Sequence, residues 1–148
     1  MATIEKKLES MGITLNDPAP CNHPILRTKK SGNLLFVSGH GTAIKGKLGA
    51  GLTVEDGYNA AREAAIHCLE AVKQAIGDLD RVTSVVKVFG MVNSSPDFTQ
   101  QPTVVNGVSE LLIEAFGEEI GSHARSAVGY VSLPNGIAVE VEMIVEVK

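Results

Sequence analysis

The segment from Ile137 to Val147 constrains the fold of this chain more than any other part of the sequence. Its apolar and charged side chains alternate. One face carries Ile137, Val139, Val141, Met143, Val145 and Val147, and the other carries Ala138, Glu140, Glu142, Ile144 and Glu146. Alternation with a period of two residues is the pattern of a β-strand with one buried face. Other elements of the chain must therefore cover that apolar face.

Two upstream segments have the period of amphipathic helices. The first begins after Thr53, which forms an approximate capping box with Asp56, and it ends at Gly77. Its apolar positions are Tyr58, Ala61, Ala65, Leu69, Val72 and Ile76. The second runs from about Phe98 or Pro102 to Phe116, and Gly117 ends it. Both helices are long enough to cover a sheet.

Three other apolar segments predict strands. A hairpin is expected from residues 25–28 and 34–38, with the turn at residues 31–33. Val82 to Val92 predicts a long strand with a bulge at Gly90, and a further strand precedes the turn at residues 133–136. The order ββαβαββ predicts an α+β sandwich: one mixed sheet with two helices on one face, plus a short helix near the amino terminus.

Size and charge restrict the class of protein. A chain of 148 residues fits one domain, residues 1–148, in which residues 1–22 form an amino-terminal extension. The net charge of −4 disfavours nucleic acid as a partner. The basic cluster of Arg27, Lys29 and Lys30 is read as a solvated loop. The sheet face that carries Glu140 and Glu142 needs cover, which an oligomer could supply.

Cysteine and histidine usage argues against disulfides and metal sites. Cys21 and Cys68 lack a CxxC spacing, which favours a reducing compartment. His23, His67 and His123 share no metal-ligand spacing, so no metal is expected. The amino terminus lacks the apolar run of a secretory signal, and no stretch approaches the roughly 20 apolar residues of a membrane helix. We therefore expect a cytoplasmic protein with no membrane association.

The segment from His123 to Glu142 resembles the signature of the RidA/YjgF family. It contains an Ala-Arg-Ser strand, a Leu-Pro turn and a final Val-Glu-Val-Glu strand. Upstream, residues 32–39 look like the second strand of the family with its Ser-Gly end, and Val104-Val105-Asn106 is similar to its second helix. The resemblance extends from about Pro24 to the end of the chain, with the same order of elements.

The resemblance implies a chorismate-mutase-like fold and a homotrimer with clefts between neighbouring subunits. The best-known members hydrolyse reactive 2-imino or enamine acids to 2-keto acids and ammonia, without a metal or cofactor. By position, Arg125 matches the carboxylate-binding arginine and Glu140 the glutamate associated with the catalytic water. The implied substrate-binding residues are Ser38, Gly39, Asn106 and Ala127, the last through its backbone.

The residue types suit that chemistry, although simpler roles exist for each of them. A guanidinium holds a carboxylate by two parallel hydrogen bonds, and a carboxylate within hydrogen-bond reach can activate water. Arg125 could instead form a salt bridge with Glu140 or Glu142 across a subunit interface. Glu140 could be structural, and Asn106 could be an ordinary polar helix residue. His40 is expected to be a surface histidine.

Several positions depart from the family pattern. Ile25 stands in place of a tyrosine that borders the substrate, Ala127 replaces a cysteine, and His123 replaces a proline. The second helix is also about one turn longer. These changes keep open a second hypothesis, a non-catalytic trimer that binds small carboxylate metabolites. A ribonuclease is disfavoured by the acidic charge and by the absence of an aromatic platform and a histidine pair.

Overall fold

Local sequence signals determine the positions of most elements in the computed structural model, which describes residues 3–22 and 24–148. The helices are α1 (Thr3–Ser10), α2 (Val54–Ile76) and α3 (Gln101–Gly121). The strands are β1 (Thr28–Ser31), β2 (Leu34–His40), β3 (Lys47–Leu48), β4 (Gly51–Leu52), β5 (Val82–Asn93), β6 (Ala124–Tyr130) and β7 (Val139–Val147). Short 3-10 turns occur at Leu79–Arg81 and Pro134–Gly136.

Five strands form one mixed sheet in the order β1-β2-β7-β5-β6. The pair β5–β6 is parallel, and the other pairs are antiparallel. Helix α2 packs against β2 and β7, while α3 packs against β5 and β6 and against α2. The predicted α+β sandwich is therefore confirmed. The strands on either side of the turn at residues 133–136 are not neighbours, because β5 lies between them.

The alternation in β7 places one row of side chains in the core. Val139, Val141, Met143, Val145 and Val147 are buried beneath the helices. Glu140, Ile144 and Glu146 are half-buried on the other face, and Glu142 is exposed there. The alternation does not hold at its first two positions, because the strand begins only at Val139. Ala138 is buried, and Ile137 is half-buried.

The termini of α2 follow the sequence signals, whereas α3 extends beyond its predicted end at Gly117. The Thr53 side chain accepts a hydrogen bond from the Asp56 amide, and the Asp56 side chain accepts one from the Thr53 amide, so the capping box is present. Gly77 ends α2 with a φ of 94°. Gly117, with a φ of 81°, breaks α3, and one more helical turn continues to Gly121. Only glycine tolerates such angles readily.

Two strand predictions were wrong in detail. The first strand pairs with β2 through residues 28–31 rather than 25–28, and Ile25 and Leu26 are exposed. Gly90 is not at a bulge, since the irregular pairing of β5 with β7 lies between Val82 and Lys87. A methyl group at Gly90 would lie 2.5 Å from a Val105 methyl. Glycine is therefore needed there so that α3 can approach the sheet.

The amino-terminal helix joins the same core. Leu8 is completely buried, and the Asp80 carboxylate accepts hydrogen bonds from the amides of Thr3 and Ile4 at 2.8 and 2.9 Å. An anionic acceptor at this end of a helix satisfies free amides and complements the helix dipole. No helix within residues 3–22 and 24–148 has the length and apolar character needed to cross a membrane.

Candidate functional site

Arg125 lies on the helix-facing side of β6, next to α3. Its neighbour on β5 is Val88, which is buried under the helices. Nη1 donates hydrogen bonds to Asn106 Oδ1 at 2.8 Å and to Ser109 Oγ at 3.2 Å, and Nη2 donates one to the Pro102 carbonyl at 3.3 Å. All three acceptors are uncharged. No carboxylate of the described residues pairs with this guanidinium.

The hydrogen bonds of Arg125 leave N–H donors free on both Nε and Nη2. The group has five N–H donors: two on each Nη and one on Nε. Nη1 donates to Asn106 and Ser109, and Nη2 donates once, to Pro102. The Nε hydrogen and the second Nη2 hydrogen have no acceptor among the residues that the structure describes. Nε and Nη2 are the pair of nitrogens through which an arginine can bind a carboxylate side-on by two parallel hydrogen bonds.

Ala127 and Asn106 belong to the same part of the molecule as Arg125. Ala127 is two residues further along β6, so its side chain is on the same face, where it packs against the core. Asn106 is half-buried on α3 and points to Arg125. The structure thus brings together three of the six site residues that were predicted from the sequence.

Glu140 lies against Gly39, which with the preceding residue Ser38 makes up a second group of site residues. A methyl group at Gly39 would lie only 3.0 Å from Cδ of Glu140, so the glycine leaves room for the carboxylate. The Ser38 hydroxyl donates to the Leu26 carbonyl at 2.6 Å. Burial, followed by the nearby negative charge of Glu142, raises the pKa of Glu140 above the usual range of a glutamate. A raised pKa brings this carboxylate closer to the range in which it exchanges protons at neutral pH.

The two groups lie on opposite faces of the sheet. Arg125 contacts α3 on the covered face, whereas Glu140 alternates with the buried Val139 and Val141 and lies on the open face. Strand β5 also separates β6 from β7. Within one chain, Arg125 and Glu140 therefore do not share a site.

A cavity of about 330 Å³ lies beside Ser38 and Gly39. Its lining also includes Ile25, Arg27 and His40. Two readings from the sequence thus need correction, because Arg27 is half-buried at this cavity and His40 is half-buried rather than on the surface. Burial lowers the pKa of His40, which favours the neutral ring. Nδ1 carries the proton, since it faces the Ser38 carbonyl at 2.7 Å.

Sequence reasoning missed the contacts of Ser109 and noted His123 only as a histidine without metal-ligand spacing and as a departure from the family. Ser109 Oγ lies 3.2 Å from Arg125 Nη1 and 2.9 Å from His123 Nε2. The signal was the spacing of Ser109 from Asn106, because residues three apart share a helix face. His23, named above among the histidines, lies outside the described residues.

The described residues contain no group of three or more His, Cys, Asp or Glu side chains arranged to hold a metal ion. Cys21 is exposed, and Cys68 is buried in the core. Burial strongly raises the pKa of the Cys68 thiol, which keeps it in the unreactive protonated form.

Comparison with known proteins places the chain in a family. Residues 13–146 match the family model described as "YjgF/chorismate_mutase-like, putative endoribonuclease". Protein TCP17 of Trypanosoma cruzi is 45% identical over 149 residues, which cover 97% of this chain and 93% of that protein.

Two solved structures have nearly the same fold. The protein Atu1372 of Agrobacterium tumefaciens, of unknown function, is 39% identical, with a TM-score of 0.91 and coverage of 98% of this chain and 92% of that one. A protein from Shewanella oneidensis described as "a putative endoribonuclease" is 29% identical, with a TM-score of 0.93. The match covers 99% of this chain and 100% of that one. The chain therefore belongs to the RidA/YjgF family, whose chorismate-mutase-like fold it shares.

Proposed function

We propose that three copies of this chain assemble and that each cleft between copies binds a small 2-imino or enamine acid and hydrolyses it to a 2-keto acid and ammonia. The observation that carries this proposal is the guanidinium of Arg125, which neutral acceptors hold while donors on Nε and Nη2 have no acceptor among the described residues. Because no carboxylate of the described chain pairs with these donors, the carboxylate of a bound ligand can accept their hydrogen bonds.

A cleft between copies follows from the positions of the two groups of residues. Arg125 and Glu140 lie on opposite faces of one sheet, so a pocket that contains both needs a second chain. The open face is suited to such a contact, because Phe36, Val86 and Val128 are 43%, 38% and 39% exposed on or beside it. A cavity of about 500 Å³ on that face has lysine and glutamate in its lining, including Lys87 and Glu142.

The proposed reaction needs only water and two residues. Arg125 binds the carboxylate of the imino acid and fixes the plane of its C=N bond. Glu140 of a neighbouring copy accepts a proton from water as the water oxygen bonds to the carbon of the protonated imine, and the C=N π electrons move to nitrogen. Glu140 then gives that proton to the amine nitrogen of the resulting amino alcohol, the C–N bond breaks and ammonia leaves, and the hydroxyl proton passes to solvent as the 2-keto acid forms.

The raised pKa of Glu140 predicts how the rate responds to pH. Glu140 acts as a base only when ionised, so kcat/KM should rise with pH through its pKa. Glu142→Gln removes a negative neighbour, lowers the pKa of Glu140 and should shift this rise to lower pH. The measurement is the pH profile of kcat/KM, with Glu146→Gln on the same strand face as the matched control. An unshifted profile in Glu142→Gln would contradict the assignment of Glu140 as the base.

Subunit complementation tests the shared site directly. An Arg125→Ala chain and a Glu140→Gln chain carry different affinity tags, are coexpressed, and are purified through both tags. In a closed ring of three, roughly one cleft in three then combines an intact Arg125 with an intact Glu140 from its neighbour. Mixed assemblies should therefore recover about a third of the activity of doubly tagged wild-type trimers, measured as decay of 2-iminopropanoate generated by an amino-acid oxidase.

The outcomes separate the alternatives. Mixed assemblies as inactive as their parents, beside an active wild type, would rule out a site shared between copies. A wild type that does not accelerate imine decay, but binds 2-keto acids in calorimetry through Arg125, would leave the second hypothesis, a trimer that binds carboxylate metabolites without turnover. An RNA substrate finds less support, because the net charge of −4 opposes phosphate binding.

A further inference from the structure

We infer that Ser109 and His123 are positioning residues that orient the guanidinium of Arg125 so that its Nε–Nη2 edge faces the incoming carboxylate. This inference rests on the proposed function for the identity of the ligand. The orientation itself is a property of the unliganded protein, which allows the two to be tested separately.

The directions of the hydrogen bonds follow from the chemistry of each partner. The Gly121 carbonyl can only accept, so His123 Nδ1, at 2.7 Å from it, must carry a proton. In the neutral ring Nε2 is then an acceptor, and the Ser109 hydroxyl, at 2.9 Å, donates to it. Because that hydroxyl hydrogen is committed to His123, Ser109 Oγ presents its lone pairs to Arg125 Nη1 at 3.2 Å.

The chain of bonds is therefore directed from Arg125 through Ser109 and His123 to the Gly121 backbone. Each member donates to the next, and hydrogen bonds aligned in this way strengthen one another. The final acceptor lies at the carboxyl end of α3, which anchors the chain to rigid backbone. A serine without His123 could rotate its hydroxyl and present its hydrogen to the guanidinium instead.

The charge state of His123 suits this role. Burial lowers its pKa, and the positive charge of Arg125 lowers it further, whereas the bond to the Gly121 carbonyl acts in the opposite direction. A protonated ring would place a second cation against the hydroxyl that Arg125 uses. The neutral ring avoids that repulsion and keeps Nε2 available as an acceptor.

Fixing Nη1 decides which edge of the guanidinium is presented. Nη1 donates to both Asn106 and Ser109, so the group cannot rotate without breaking two hydrogen bonds. With Asn106 alone, the guanidinium could rotate about Cδ–Nε and lose its alignment. A group already held in the binding orientation loses less conformational entropy when its ligand arrives.

The first test needs no ligand. Nitrogen-15 spectra of the unliganded assembly should show His123 as the Nδ1–H tautomer and separate, slowly exchanging Nη signals for Arg125. Ser109→Ala should merge the Arg125 signals, whereas Ser122→Ala, an exposed serine near the end of α3, should leave them separate. Merged Nη signals in the wild type, or an Nε2–H tautomer, would overturn the inference whatever the protein binds.

The second test measures coupling through Arg125. Ser109→Ala should weaken pyruvate binding about tenfold, and Ser109→Thr, which keeps the hydroxyl, should recover most of that loss. In an Arg125→Ala background, Ser109→Ala should change the residual affinity by less than about twofold, because the group it positions is gone. An equal loss in both backgrounds would show a general structural role and reject positioning. Separate Nη signals without any pyruvate binding would instead count against the proposed function.

Discussion

Arg125→Ala is expected to lower kcat/KM for 2-iminopropanoate by about 100- to 1,000-fold. Two hydrogen bonds between charged partners contribute roughly 3–4 kcal/mol in total, and each 1.4 kcal/mol corresponds to about a factor of ten. The loss should appear mainly in KM if the carboxylate is held equally in the ground and transition states. The measurement is steady-state imine decay with the substrate generated in place.

Two further variants test whether the effect depends on the guanidinium of Arg125 in particular. Arg125→Lys keeps the charge but offers a point donor rather than a planar fork, so it should recover only part of the lost activity. Arg62→Ala removes another half-buried arginine, one on α2 that pairs with Glu114 at 3.2 Å, and should leave kcat/KM unchanged within about twofold. Full activity in Arg125→Ala would refute the assigned role of the guanidinium.

Gly107→Ala is expected to destabilise the fold by about 3 kcal/mol, the largest stability effect that we predict for a single added methyl group. A methyl group at residue 107 would lie 2.2 Å from the Tyr58 carbonyl oxygen and 3.2 Å from the Arg62 amide nitrogen. Both are backbone atoms of α2, so no side-chain rotation relieves the clash. The two helices must separate, which opens the core between them.

The check is denaturant unfolding of the assembled protein at a fixed protein concentration, since association contributes to the measured stability. Thr103→Ala is the matched control, because residue 103 is exposed on the same helix. It should be neutral or slightly stabilising, as alanine has the higher helix propensity. A Gly107→Ala protein as stable as the wild type would mean that α2 and α3 do not pack as closely as the structure has them.

Elements with a strong local signal were predictable. The periodic apolar residues of α2, its capping box and its terminal glycine specify a helix with little help from the rest of the chain. The alternation in β7 likewise specifies a strand and its buried face. Weakly periodic segments were less predictable: β1 is three residues later than expected, because residues 28–31 pair with β2 through backbone bonds that no side-chain pattern encodes.

The candidate site, too, was predictable from the sequence only in part. Family resemblance named Arg125, Asn106 and Glu140, and in the structure Arg125 donates a hydrogen bond to Asn106. The family resemblance did not indicate that Arg125 and Glu140 lie on opposite faces of the sheet. That separation depends on the insertion of β5 between β6 and β7, a pairing between segments far apart in the chain.

The sequence alone therefore determined the class of fold, the order of its elements and its family, because these depend on periodicity and on short motifs. The tertiary structure decided which side chains meet: Ser109 and His123 beside Arg125, Gly39 beside Glu140, and Gly107 against the backbone of α2. Such contacts depend on strand order and helix separation, which arise from the packing of the whole core rather than from the preferences of any one segment.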